Sequence, residues 1–203
     1  LLCVPLFMLS QTSGGPDGYG YTWVDSNDPN GPIYSWVDIE NIDNLVNGLG
    51  DDNIIGSFSI ASFKYYWYTV SGLSIGSNGY ISFSNPQNIA SPFPIIPTAS
   101  GANDFIAPFL SDLTFTGTNN PGRCYMSTDN MDSTIISYVD VPFWQQANPQ
   151  YTGSNTFQII LCHTDSTIIF QYKSMSGITN GNDITIGIES VAGSIGLQHS
   201  QDT

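Results

Sequence analysis

The sequence predicts an all-β protein, an antiparallel β-sandwich with an irregular N-terminal strap, and three observations carry that expectation. Apolar residues come in short runs broken by Gly, Pro, Asn and Asp, and no stretch sustains a helical period. Aromatic residues make up 13% of the chain while charged residues make up only 10%, against roughly 25% charged in an ordinary soluble domain. Polarity comes instead from Ser, Thr, Asn and Gln, a balance typical of exported β proteins. Two turn signals also join strand-like runs directly. Ser77-Asn78-Gly79 lies between Leu73-Ser74-Ile75 and Tyr80-Ile81-Ser82-Phe83, and Thr164-Asp165-Ser166 lies between FQIILCH and TIIFQY. Asn-Gly supplies the positive φ angles of a tight hairpin turn, so the flanking runs should pair antiparallel.

Read in order, Leu1 to Leu9 is apolar and gives way to Ser10-Gln11-Thr12-Ser13. Residues 1–13 read as the end of a signal peptide whose charged start is missing, with a buried first strand as the alternative. The run is too short to span a bilayer. Residues 14–53 form a turn-rich strap, with GGPDGYGYTW, DSNDPNGP and NGLGDDN around short apolar pieces. Residues 54–203 form the sandwich domain. Its clearest strands are expected at Phe63 to Ile75, Tyr80 to Ser84, Phe105 to Phe115, Thr134 to Val141, Thr156 to His163, Thr167 to Tyr172 and Ile184 to Glu189. The Pro-rich stretch Asn85 to Pro97 cannot continue a central strand and reads as a surface crossover between sheets. No fixed-period repeat appears, which argues against a propeller or solenoid.

Charge narrows the function classes. Lys+Arg total 3 and Asp+Glu 17, a net charge of −14. Three cations cannot form the basic stripe that displaces counterions from a phosphate backbone, so nucleic acid is excluded as a partner. An anionic membrane surface is disfavoured for the same reason, and no membrane insertion is expected. With Cys3 in the leader, Cys124 and Cys162 remain, either as a disulfide in an exported protein or as two buried thiols on neighbouring strands. No CxxC or Cys/His cluster points to zinc.

Catalytic signatures fail on context. Gly72-Leu73-Ser74-Ile75-Gly76 matches the nucleophile elbow by letter, but that motif needs a helix after the serine, and Ser74 sits inside a strand that leads to the Asn78-Gly79 turn. His163 and His199 have no convincing nucleophile or orienting acid, and His163 reads as an exposed turn residue. Glu40 and Glu189 are the only glutamates, and most aspartates lie in turns where the carboxylate serves the local backbone. No enzyme activity is expected and no organic cofactor is implied.

Two binding chemistries stand beside their plainer readings. Asp25, Asn27, Asp28 and Asn30 concentrate hard oxygen donors suited to calcium, with Asp104, Asp112, Asp129 and Asp132 as weaker candidates; solvated turns are the plainer reading. The EF-hand frame that fits Asp28, Asn30 and Gly31 leaves Val37 where a bidentate Glu belongs. In the aromatic run Phe63-Lys64-Tyr65-Tyr66-Trp67-Tyr68, Tyr65 and Trp67 are the candidate contacts for a glycan or protein surface. Strand alternation would instead send half of these rings into the core.

The order of segments from Phe63 to Gln198 resembles the nidogen-like extracellular domain. The resembling pieces are Ser77-Asn78-Gly79-Tyr80-Ile81-Ser82-Phe83, Ile106-Ala107-Pro108-Phe109-Leu110-Ser111-Asp112-Leu113, Ser154-Asn155-Thr156-Phe157-Gln158-Ile159-Ile160-Leu161, Thr167 to Tyr172, and Ile186-Gly187-Ile188-Glu189. Leu110 stands where the family usually has Trp. The segment Gly15 to Trp23 with Trp36-Val37-Asp38-Ile39 is similar to a leader on modules of large secreted Bacteroidetes proteins. The resemblance implies a secreted or cell-surface adhesion or matrix-interaction module, working beside further domains of the same polypeptide. It implies as an alternative an accessory domain of a secreted hydrolase, a subtilisin-like peptidase or glycosidase. It carries no catalytic residues to transfer.

Overall fold

The computed structural model describes residues 11–84, 86–128, 132–177 and 184–201. Cys3, Asp129 and most of the expected signal peptide lie outside them. The strands are β1 (Ser13–Gly14), β2 (Trp23–Val24), β3 (Ile54–Tyr65), β4 (Tyr68–Gly76), β5 (Tyr80–Ser82), β6 (Phe105–Leu110), β7 (Arg123–Ser127), β8 (Ser133–Trp144), β9 (Tyr151–Cys162), β10 (Ile168–Ser176), β11 (Thr185–Glu189) and β12 (Gly196–Gln201). One sheet runs β12-β11-β6-β5-β4-β3 and a second runs β10-β9-β8-β7, all pairs antiparallel. A small β1-β2 ribbon belongs to the strap. Among the described residues no helix is long and apolar enough to cross a membrane.

The main core fills the space between the two sheets. Phe63, Leu73, Ile75, Ile81, Ile106 and Ile188 face Ile136, Tyr138, Phe157, Ile159 and Leu161, as expected of alternating positions in stacked sheets. Polar side chains tie the sheets together as well. The Tyr138 hydroxyl reaches Gly76 O at 2.8 Å and Tyr80 O at 3.0 Å, and the Tyr172 hydroxyl donates to Pro108 O at 2.6 Å. His163 is half-buried rather than an exposed turn residue: Nδ1 lies 3.2 Å from Ser62 O of β3 and Nε2 lies 3.0 Å from the Thr134 hydroxyl of β8. Its position one residue past β9 brings it to the seam between the sheets.

Both hairpin turns form where turn chemistry places them. Gly79 adopts φ 79°, and a Cβ there would strike Phe109 O, so only glycine fits. Buried Asn78 donates to Asp52 Oδ1 and Ile89 O, each at 2.8 Å, and accepts from Leu113 N–H at 3.2 Å. The expected strand Phe63 to Ile75 is instead a hairpin. Tyr65 pairs with Tyr68, and the chain reverses through Tyr66 and Trp67, with Tyr66 at φ 49°. The crossover after β5 also differs from expectation. It joins β5 to β6, which are neighbours in one sheet, and folds back over that sheet's outer face. Ile89, Phe93 and Ile96 pack there on Tyr80, Phe105, Ala107 and Leu110. Leu110, where the resembling family has Trp, is fully buried in this second core.

The two cysteines are free thiols. Cys124 pairs with Tyr138, which pairs with Phe157, whereas Cys162 pairs with Ser133. The thiols are therefore separated by the width of β8 and by five residues along β9, roughly 17 Å at about 3.4 Å per residue. Cys124 belongs to the inter-sheet core and Cys162 to the opposite face of the sheet. A disulfide requires Cα atoms within about 7 Å, so the bond is not made; nor do the thiols lie on neighbouring strands. Burial pushes the Cys124 thiol well up, which keeps it protonated.

Candidate functional site

At one end of the sandwich the strap and the β3-β4 hairpin build an aromatic platform. Asp17 organises the strap's part. Its Oδ1 accepts from the backbone N–H groups of Tyr19, Gly20 and Tyr21 at 3.0, 2.8 and 2.9 Å, and its Oδ2 accepts from the Tyr66 hydroxyl at 3.1 Å. The Asp-Gly-x-Gly turn thus holds Tyr19 and Tyr21 against the hairpin tip. Tyr19 meets Tyr66 at 5.4 Å and Trp67 at 4.9 Å, both edge-on, and Tyr21 meets Tyr66 at 5.0 Å. Tyr66 stacks on Trp67 at 5.8 Å. These spacings lie in the favourable range for aromatic pairs.

Electrostatics keep Tyr21 and Tyr66 protonated. Burial, and then the Asp17 carboxylate, hold the Tyr66 hydroxyl far above the usual tyrosine range, while burial pushes Tyr21 up to about 12. Trp67 crowns the assembly with 62% of its surface exposed. Loop tips usually carry small polar residues, so a large exposed ring held by two neighbours, Tyr19 and Tyr66, is the feature of this end that stands out.

The other aromatic candidate is corrected by the same geometry. Tyr65 has no exposed surface, because the hairpin turns immediately after it and its ring points between the sheets. Its hydroxyl lies 2.8 Å from Phe105 O and 2.9 Å from Glu189 O and accepts from Glu189 N–H at 3.2 Å. Tyr65 packs beneath the platform against Tyr66 and Tyr21 and presents no surface to solvent.

The acidic strap loop is built from its own hydrogen bonds. Asp25 Oδ1 accepts from Asn27 N–H and Asp28 Oδ1 from Asn30 N–H, both at 2.8 Å, and Asp28 Oδ2 accepts from the Thr12 hydroxyl at 3.3 Å. The carboxylates of Asp25 and Asp28 each stabilise a local turn. Asp104 lies elsewhere, buried at the start of β6. Among the described residues no three His, Cys, Asp or Glu side chains converge as a metal-binding group.

Ser74 is buried within β4 between Gly56 and Ser82, with another strand following. His199 is exposed and stacks on Trp23 at 4.4 Å. His199 Nδ1 lies 3.2 Å from the neighbouring Ser200 hydroxyl on the exposed β12 edge, away from Ser74 in β4. The crossover also frames a shallow pocket of about 390 Å³, lined by Ile89, Pro92, Pro94, Ile95, Thr98 and neighbouring small residues, none of them charged. Asp17, Tyr19 and Tyr66 were not singled out from sequence. The Asp-Gly-x-Gly spacing was the readable signal for the first two.

No curated protein and no solved structure matches the chain. A family model does, under the description NIDO related, over residues 31–203. This match spans most of the strap and the whole sandwich, including every strand of both main sheets, and it points to an extracellular module. The chain belongs to the NIDO-related family.

Proposed function

We propose that this chain is a non-catalytic adhesion or matrix-interaction module of a larger secreted or cell-surface protein, contacting a glycan or protein surface through Trp67. The observation that carries the reading is the exposed Trp67 ring, held on Tyr19 and Tyr66 by the Asp17 turn. A ring already immobilised gives up little conformational freedom on binding, and Trp is enriched among residues that dominate interface energy. Family membership supports an extracellular setting, and the burial of Ser74 inside a strand and the use of His163 to bridge Ser62 O and the Thr134 hydroxyl support a non-catalytic role.

The test is binding of the chain to a glycan array and to immobilised matrix proteins, compared with Trp67→Ala. Trp67→Ala should lower affinity at least tenfold, while the unfolding midpoint falls by only a few degrees, about what loss of the ring contacts with Tyr19 and Tyr66 costs. Equal binding by both proteins would remove Trp67 from the contact. Turnover of ester, peptide or glycoside substrates would overturn the non-catalytic reading.

A further inference from the structure

The hairpin tip that carries Trp67 takes a turn its own sequence does not favour. Tyr65 pairs with Tyr68, so Tyr66 and Trp67 alone close the reversal from β3 to β4. Tyr66 sits at φ 49°, in the left-handed region where a Cβ crowds the following carbonyl and glycine is the preferred residue. The next reversal of the same sheet shows the ordinary solution, with Gly79 at φ 79° between β4 and β5. A bulky residue in such a conformation persists only where its surroundings over-determine it.

Most of what holds Tyr66 comes from outside the hairpin. Its side chain has no exposed surface, and its ring meets Tyr19 and Tyr21 of the strap at 5.4 and 5.0 Å besides Tyr65 at 4.8 Å. Its hydroxyl donates to Asp17 Oδ2 at 3.1 Å. The other oxygen of that carboxylate takes the N–H groups of Tyr19, Gly20 and Tyr21, so one side chain fixes the strap turn and ties it to the tip. The turn is itself seated. Asp17 N–H donates to Tyr21 O at 2.9 Å, Gly20 supplies φ 120°, and Gly18 lies so close to the β11–β12 connection that a Cβ there would stand 3.1 Å from Ile195 Cδ1.

Trp67 has less support. Among the described residues its ring contacts are Tyr19, edge-on at 4.9 Å, and Tyr66, stacked at 5.8 Å. The first belongs to the strap, and the second is kept in place by it.

We infer that the strap turn is a latch on the Trp67 contact, with Asp17 as its positioning residue. While Asp17 accepts from the Tyr66 hydroxyl, the tip stays in its left-handed turn and Trp67 stands fixed. Without that bond the tip relaxes toward a turn that suits tyrosine, and Trp67 loses its fixed orientation. A partner that engages the fixed ring then binds in proportion to the latched fraction, and by linkage the same partner tightens the strap. This regulation rests on the Trp67 reading above; the latch itself does not.

Nitrogen relaxation of the Trp67 indole, in the full chain and in the variants Asp17→Ala and Tyr66→Phe, tests the latch without any ligand. The resonance is identified by its absence from Trp67→Phe. In both variants the order parameter should drop from near the rigid limit of about 0.85 to below about 0.6. Hydrogen exchange separates their effects. Asp17→Ala should speed exchange at Tyr19, Gly20 and Tyr21 at least about tenfold, as loss of bonds to a charged acceptor requires, and leave Ile136 and Ile159 in the main core unchanged. Tyr66→Phe keeps the ring and the Asp17 turn, so the strap amides should stay protected while Trp67 alone loosens, a signature that a merely structural role of Asp17 would not produce. A Trp67 ring as ordered in either variant as in the wild type overturns the proposal. Should Asp17→Ala fail to fold, Tyr66→Phe decides alone. A failed latch leaves the Trp67 contact to its own binding test, and a silent Trp67→Ala leaves the latch standing as a property of the hairpin.

Discussion

The outer faces of the two sheets are covered in different ways. On the six-stranded sheet the crossover buries Ile89, Phe93 and Ile96 against Tyr80, Phe105, Ala107 and Leu110, a second core whose large side chains are each worth about 1.5–3 kcal/mol when fully buried. On the four-stranded sheet the strap buries Ile39 on Ile135 and Ile160, bonds Val46 N–H to Cys124 O of β7 at 2.8 Å, and is further tacked down by two glutamines of β9 and β10. Gln158 exchanges hydrogen bonds with the backbone of Val37, and Gln171 with that of Ser35. The strap leaves Ile33 at 92% and Ile42 at 78% exposure. The crossover therefore adds a second core of its own, whereas the part of the strap over the four-stranded sheet is a tethered covering, and the strap's Tyr19, Tyr21, Val46 and Leu49 join the main core instead.

The largest effect should follow from emptying the crossover's core. Phe93→Ala removes a ring that lies between the crossover and β6, and a loss of about 3–5 kcal/mol is expected in urea unfolding. A loss under about 1 kcal/mol would show that the crossover is no better anchored than the strap and would erase the contrast.

A smaller and local effect should come from the strap. Gln158 is buried, and its amide also donates to the Ser137 hydroxyl at 2.7 Å. Gln158→Ala should cost about 1–2 kcal/mol, since the released Val37 groups can turn to water. Hydrogen exchange locates it: protection at Val37 and Ser35 should fall while protection at Thr98, in the crossover, is unchanged. Equal loss in both places would mean that the two coverings unfold together.

The same contrast explains what could be read from the sequence. The Asn78-Gly79 and Thr164-Asp165-Ser166 turns were legible because each depends on residues in the turn itself, and so was the break at the Pro-rich crossover. That the crossover seals the sheet it leaves depends on where Phe93 and Ile96 land, which no local pattern encodes. The Tyr66-Trp67 turn was hidden because tyrosine rarely takes positive φ; here the Asp17 contact and four neighbouring rings hold it. Alternation within Phe63 to Tyr68 foretold that some rings would be core, but a turn between Tyr65 and Tyr68 decided which. The bonds of Glu189 to Thr98 N–H and to the Asn103 amide gave no signal at all, because those partners are about ninety residues away along the chain.

The smallest expected effect lies in the acidic turns of the strap, and it separates a turn from a cation site. Asp25 Oδ1 accepts from Asn27 N–H, and the Asp25 carbonyl accepts from Asp28 N–H at 3.2 Å, so the side chain closes a local turn far from either core. Asp25→Ala should cost about 0.5–1 kcal/mol, the net worth of one partly exposed hydrogen bond. If that bond is the whole role of the carboxylate, the cost is the same in millimolar calcium and in chelator. If Asp25, Asn27, Asp28 and Asn30 instead hold calcium, the wild-type melting temperature rises with calcium and Asp25→Ala abolishes the rise, as mass action requires of any ligand bound only by the folded state. With one oxygen of each carboxylate already committed to a turn amide, the calcium-independent cost is the expected result. The strap would then be held to the sandwich by Gln158 and Gln171 of β9 and β10, by Ile39, Val46 and Leu49, and by the Asp17 contact, with its acidic turns contributing only local order.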